Sequence, residues 1–90
     1  MTGFRITRTK GFHMTFKNGW TISVQFGSGN YCENKMKPYN YGKNEDATSE
    51  DAEIAIWDKD DKDYDFGYDT VKPYCSADEV AEWIEKVRNF

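Results

Sequence analysis

Two runs of strictly alternating side chains meet across Lys17-Asn18-Gly19, and this pairing constrains the fold more than any other feature of the chain. Phe12-His13-Met14-Thr15-Phe16 and Trp20-Thr21-Ile22-Ser23-Val24-Gln25-Phe26 each place apolar residues at every second position, the signature of a half-buried strand. Asn-Gly between such runs marks a β-hairpin. A two-residue loop would set Phe16 against Thr21 and Met14 against Ser23, mixing both faces. A three-residue loop sets Phe16 against Trp20, Met14 against Ile22 and Phe12 against Val24, which leaves one face wholly apolar. The second register is expected, with Gly19 in the left-handed position of a bulged turn.

The rest of the chain is read around that hairpin. Gly3 to Thr9 alternates Phe4 and Ile6 with Arg5 and Thr7 and predicts an earlier strand, with Gly11 easing the turn into the next. Residues 27–51 read as one long loop, and its rings (Tyr31, Tyr39, Tyr41) set it apart from simple disorder. From Ala52 to Tyr68 a second hairpin is expected. Pairing Ile56 with Tyr64, Ile54 with Phe66 and Ala52 with Tyr68 aligns apolar side chains and sets Asp58 opposite Lys62; a one-residue slip would oppose like charges.

A helix follows over 76–89. Ser76 and Glu79 have the spacing of a capping box, Cys75 and Val80 that of a hydrophobic staple, and Lys86 and Arg88 suit the negative end of the helix dipole. Ala77, Val80, Ile84 and Val87, widened by Trp83, form its apolar stripe. The expected fold is therefore α+β: an antiparallel sheet of about four or five strands, built from two β-hairpins, with one C-terminal helix packed on one face.

Ninety residues make one domain, 1–90. Mean hydropathy is -0.90, so the apolar side chains must gather in a few dense clusters. The longest apolar run, Ile54-Ala55-Ile56-Trp57, is too short to span a bilayer, and Met1-Thr2-Gly3-Phe4-Arg5 does not open like a secretory signal. These readings point to a cytoplasmic protein without membrane contact, in which Cys32 and Cys75 remain thiols. Net charge is -4 and divides unevenly: residues 1–43 hold seven bases and one acid, residues 44–90 five bases and fifteen acids. The halves either neutralise each other across a shared sheet or form a bipolar surface that steers a charged partner.

Motifs of catalysis are sparse. His13 is the one histidine, on the polar side of its strand, and no serine lies in a nucleophile motif. Two cysteines 43 positions apart make a poor zinc site. Asp61, Asp63 and Asp65 align with a calcium loop only by putting Phe66 at the glycine position and Lys72 at the bidentate acid. No enzyme, cofactor or metal is expected. Two binding surfaces are. In the preferred register Trp57 is on the outer face, either buried under the long loop or free beside Asp58, Asp60, Asp61, Asp63 and Asp65, where it makes a partner-binding patch whose carboxylates imitate nucleic-acid phosphates. Alternatively, the turn Gly27, Ser28, Gly29, Asn30 with Tyr31, Lys35, Tyr39 and Tyr41 forms a nucleotide pocket, the amides and lysine taking phosphate and the rings stacking on a base.

The stretch Phe12-His13-Met14-Thr15-Phe16, Asn18-Gly19-Trp20-Thr21, Ser23-Val24-Gln25-Phe26-Gly27 and Gly29-Asn30-Tyr31-Cys32 resembles one recurring in short uncharacterised proteins of phages and bacterial mobile elements. The strand from Ala52 to Trp57 and the start of the helix from Cys75 to Trp83 belong to the same pattern. The resemblance implies no catalytic residues. It implies a context, antagonism of host defences such as CRISPR or nucleotide signalling. On that basis the expected partner is a host defence protein, with a cyclic dinucleotide held by a homo-oligomeric sponge as the alternative. A structural or regulatory module is the third reading.

Overall fold

The computed structural model describes residues 2–8 and 10–90, so the predicted end of the first strand at Thr9 lies outside the described residues. The five strands β1 (Gly3–Ile6), β2 (Gly11–Thr15), β3 (Thr21–Gln25), β4 (Asp51–Trp57) and β5 (Val71–Ser76) form one antiparallel sheet in chain order, followed by helix α1 (Ala77–Arg88). The α+β expectation holds.

The first hairpin takes the three-residue register: Met14 pairs with Ile22 and Phe12 with Val24. Its tip closes through Gly19 N–H to the Phe16 carbonyl (2.9 Å), with Gly19 at φ 92. Gly11 is needed for space. A Cβ there would collide with the Val24 carbonyl oxygen of the neighbouring strand.

Alternation along β3 and β4 sorts the side chains. Ile22, Val24, Ala52, Ile54 and Ile56 face α1 and join Cys75 and Val87 in the buried core. The helix lies over β3, β4 and β5 and leaves β1 and β2 uncovered. One helix is about 10 Å wide, while five strands span roughly 20 Å. Phe4 and Ile6 therefore stay exposed, at 73% and 83%, although they share the apolar side of the sheet.

Both ends of α1 are fixed as the sequence leads one to expect, with one addition. Ser76 Oγ accepts from Glu79 N–H and a Glu79 carboxylate oxygen accepts from Ser76 N–H, completing the capping box. At the far end the Asn18 side-chain amide donates to the carbonyls of Val87 (2.9 Å) and Arg88 (3.3 Å). The tip of the first hairpin thus adds a side-chain donor at a helix terminus where intrahelical donors run out; the Val87 carbonyl accepts from Phe90 N–H as well (3.2 Å).

The second hairpin is half right. Asp58 N–H donates to the Lys62 carbonyl, Tyr64 N–H to the Ile56 carbonyl, and Trp57 bridges Asp63. The predicted pairings of Ile54 with Phe66 and Ala52 with Tyr68 do not form. Beyond Tyr64 the chain leaves the sheet, and Ile54 and Ala52 pair instead with Lys72 and Cys75 of β5. The rings decide this. Tyr64 and Phe66 swing onto α1, where both stack edge-on against Trp83 at 5.7 and 5.0 Å, and Tyr64 also meets Phe90 at 5.6 Å. Burying two rings against a tryptophan outweighs two more rungs of ladder. Asp65 and Gly67 (φ 102) make the bend.

Residues 26–50 contain no helix or strand, yet both ends of the segment are tied down. Buried Asn34 donates to the carbonyls of Phe26 and Thr48, both at 2.9 Å. Glu33 N–H donates to the Asp51 carboxylate, and Glu50 N–H to that of Glu33.

Candidate functional site

The outer face of the sheet, away from α1, is built from the residues that alternate with the core. Arg5, His13, Thr15, Thr21, Ser23, Gln25, Ala55 and Trp57 fall on it by register. Its floor is made of hydroxyls and an amide. Thr15 and Thr21 share a hydrogen bond of 2.8 Å; Thr7 donates to the Gln25 side chain (3.0 Å), which donates in turn to Ser23 (3.1 Å). Thr21 and Ser23 are small and buried, which leaves room above β3 for rings from its two neighbours. Trp57 from β4 and His13 from β2 meet there edge to face, with centroids 5.0 Å apart and planes at 83°.

An open cleft of about 690 Å³ surrounds this pair, with Arg5, Lys17 and Lys59 at its sides and Asp58 and Asp61 at one end. Partial burial, and then the nearby Arg5 guanidinium, hold the His13 pKa below its ordinary 6.5. Both causes penalise the charged form and favour the neutral imidazole.

Trp57 lies on the outer face, half-buried, in a cleft lined by no residue of α1 or of the long loop. The acidic residues behind it divide by role. One oxygen of Asp58 accepts from the N–H groups of Asp60 (2.8 Å) and Lys62 (3.0 Å), and one oxygen of Asp65 accepts from Gly67 N–H (2.7 Å). These two shape turns. Asp60, Asp61 and Asp63 are exposed, and Asp61 adopts φ 62 at the apex of the turn. Among the described residues the one ion pair is Arg88–Glu85 at 3.5 Å, on the helix surface.

The glycine-rich segment is folded tightly on itself. Gly27 N–H donates to the Asn30 side chain, Gly29 N–H to the Lys35 carbonyl, Asn30 N–H to the Gly27 carbonyl and Tyr31 N–H to the Glu53 carboxylate. Ser28 Oγ donates to the Lys37 carbonyl. Each of the three tyrosines carries an ammonium over its ring: Lys35 on Tyr31, Lys10 on Tyr39, Lys37 on Tyr41. Tyr41 and Gly27 line a small cavity of about 230 Å³, which Tyr31 and Tyr39 do not reach.

Several residues of the outer cleft escaped the sequence reading. Alternation puts His13 on the polar side of its strand but says nothing of a ring partner, and nothing in the sequence connects Arg5, Lys17 and Lys59 with Trp57. The missing information was the pairing of β3 with β4, which sets Thr21 against Trp57 and so brings Trp57 within reach of His13. Both cysteines are buried and unlinked. Burial, followed by the Glu79 charge, pushes the Cys75 thiol up to about 11. Among the described residues no group of three or more His, Cys, Asp or Glu side chains is arranged to hold a metal ion, and no helix is long and apolar enough to cross a membrane.

No protein-family model, no curated protein and no solved structure matches the chain.

Proposed function

We propose that the chain is a non-enzymatic binding protein that docks onto a basic groove of a partner protein through Trp57 and the turn Asp58 to Asp65. The partner class is a nucleic-acid-handling protein of a host defence system, and the action is inhibition by occupancy, in the manner of a phage-encoded anti-CRISPR protein. The resemblance to short phage proteins supports that context, and a host-cell cytoplasmic location follows from it.

Trp57 carries the reading. A large ring stands on the sheet face that no helix covers, edge-on to His13 and next to a turn that exposes Asp60, Asp61 and Asp63. Tryptophan is among the residue types enriched at the energetic hot spots of protein interfaces. The carboxylates of Asp60, Asp61 and Asp63, in no ion pair among the described residues, supply the charge pattern of a phosphate backbone.

The test is a comparative pull-down from host lysate with the wild-type chain, Trp57→Ala, and the triple change Asp60→Asn, Asp61→Asn, Asp63→Asn. A partner of the proposed kind is retained by the wild type, falls at least about ten-fold with either variant (roughly 1.4 kcal/mol) and elutes more readily at high salt. Retention that ignores both variants rules the surface out.

A second reading, a sponge for a cyclic dinucleotide, draws on the ordered Gly27 to Tyr41 segment and its exposed Tyr31 and Tyr39 rings. Cyclic dinucleotides at millimolar concentration would then raise the melting temperature of the protein. An unchanged melting curve removes it.

A further inference from the structure

Beyond that reading, the outer face holds a second surface of opposite charge. Arg5, Arg8 and Lys10 surround a groove of about 430 Å³ whose floor is Thr7 and Gln25, and no carboxylate lines it. The groove adjoins the Trp57 cleft, because Arg5 and His13 belong to both. Two of its cations are held in place by the long loop: Arg8 donates to the Tyr39 hydroxyl at 3.1 Å, and the Lys10 ammonium lies 5.1 Å above the same ring. None of the three has an acidic partner within ion-pair distance among the described residues.

Arg8 also occupies an expensive backbone position. Its φ of 56 lies in the left-handed region, where an arginine is less stable than a glycine. The turn from β1 to β2 would be made more cheaply by glycine. A guanidinium kept there, steadied by Tyr39, has a use that the turn does not supply.

We propose that this groove binds the phosphates of a single-stranded nucleic acid, whose next base reaches the His13–Trp57 pair. Three cations spread from β1 to the loop after it suit successive phosphates of a strand better than one mononucleotide. The ring pair at the junction offers a stacking surface, which only an unpaired base can use. The Gln25 amide in the floor is already bonded at both ends, to Thr7 and to Ser23, which leaves stacking and charge as the main terms and makes binding tolerant of sequence.

Fluorescence anisotropy with a labelled oligothymidylate of about ten nucleotides tests this directly. The logarithm of the binding constant should fall with the logarithm of salt concentration, with a slope of about -2 for three phosphates at roughly -0.7 each. Arg5→Gln, Arg8→Gln and Lys10→Gln together should bring that slope near zero. Trp57→Leu should weaken binding about ten-fold, within the range of one lost base stack, and leave the slope unchanged. Arg8→Gly should weaken binding while the melting temperature stays level or rises, which separates recognition from folding. The triple Asp-to-Asn variant used above should bind the oligonucleotide at least as well as wild type, while the triple glutamine variant should leave protein capture intact; Trp57 serves both surfaces, so these two charge variants, and not Trp57→Leu, tell the readings apart. Absent binding, a slope that survives the triple glutamine variant, or equal competition by inorganic polyphosphate would each overturn the assignment.

Discussion

The two faces of the sheet are made by the same strands and differ in almost everything else. On the inner face β3 and β4 contribute Ile22, Val24, Ala52, Ile54 and Ile56, buried under α1. On the outer face the interleaved positions carry Thr21, Ser23, Ala55 and Trp57, roofed by nothing but the rings and cations at their edges. The inner face is specified by volume, and any change of shape is felt by every neighbour. The outer face is specified by chemistry, and a change of side chain there alters what can be bound before it alters whether the chain folds. Alternation by twos lets one strand serve both ends.

Truncating the inner face gives the largest effect. Ile54→Ala should cost about 2–5 kcal/mol in denaturant unfolding, enough to unfold much of a domain this small. A loss below about 1 kcal/mol would mean that the core under α1 is loose, and the contrast between faces would weaken. The outer pair comes next. A double-mutant cycle of His13→Ala and Trp57→Ala should give a coupling of about 0.5–1.5 kcal/mol, the value of an edge-to-face ring pair. Zero coupling would mean that the two rings do not form one site.

The smallest expected effects are in pH dependence, and the two faces respond at opposite ends of the scale. His13 has a lowered folded pKa, so between 6.5 and that lower value the unfolded chain holds more protons. Its contribution is complete above pH 6.5 and is lost as pH falls. His13→Gln should remove that slope. Cys75, raised to about 11 from 9.0, behaves in reverse: its contribution is complete below pH 9 and is lost as pH rises toward 11. Cys75→Ala should flatten the alkaline limb. Urea titrations at several pH values check both.

The parts that could be read from sequence were those whose answer is local. Asn18-Gly19 between two alternating runs fixed a register, and Ser76 with Glu79 fixed a helix start, because each decision involves residues a few positions apart. The path from Tyr64 to Val71 was misread because its best packing lies on Trp83, which no alternation pattern announces. Strand β5 was missed for a related reason. Pro73 argues against a strand wherever its missing N–H would be needed, and here it is harmless because β5 is an edge. The face on which Trp57 sits was legible from parity; whether the long loop covers it was not. Nor was the contact of Trp57 with His13, since it depends on β3 lying between β2 and β4, a pairing across more than twenty residues of loop. The roles of Asp58 and Asp65 as turn-makers were hidden among acids that look alike in sequence.

The bond from Asn18 to the last turn of α1 joins residues 69 positions apart and makes folding a collective matter. The β2–β3 hairpin completes its ladder from neighbouring residues, but its apolar side needs a lid drawn from residues 77–88. Without that lid Ile22, Val24, Ile54 and Ile56 have no helix to close over them, so a hairpin cut away from α1 would expose the side chains that hold the sheet together. A single asparagine at a turn thereby ties the most local element of the molecule to the least local one.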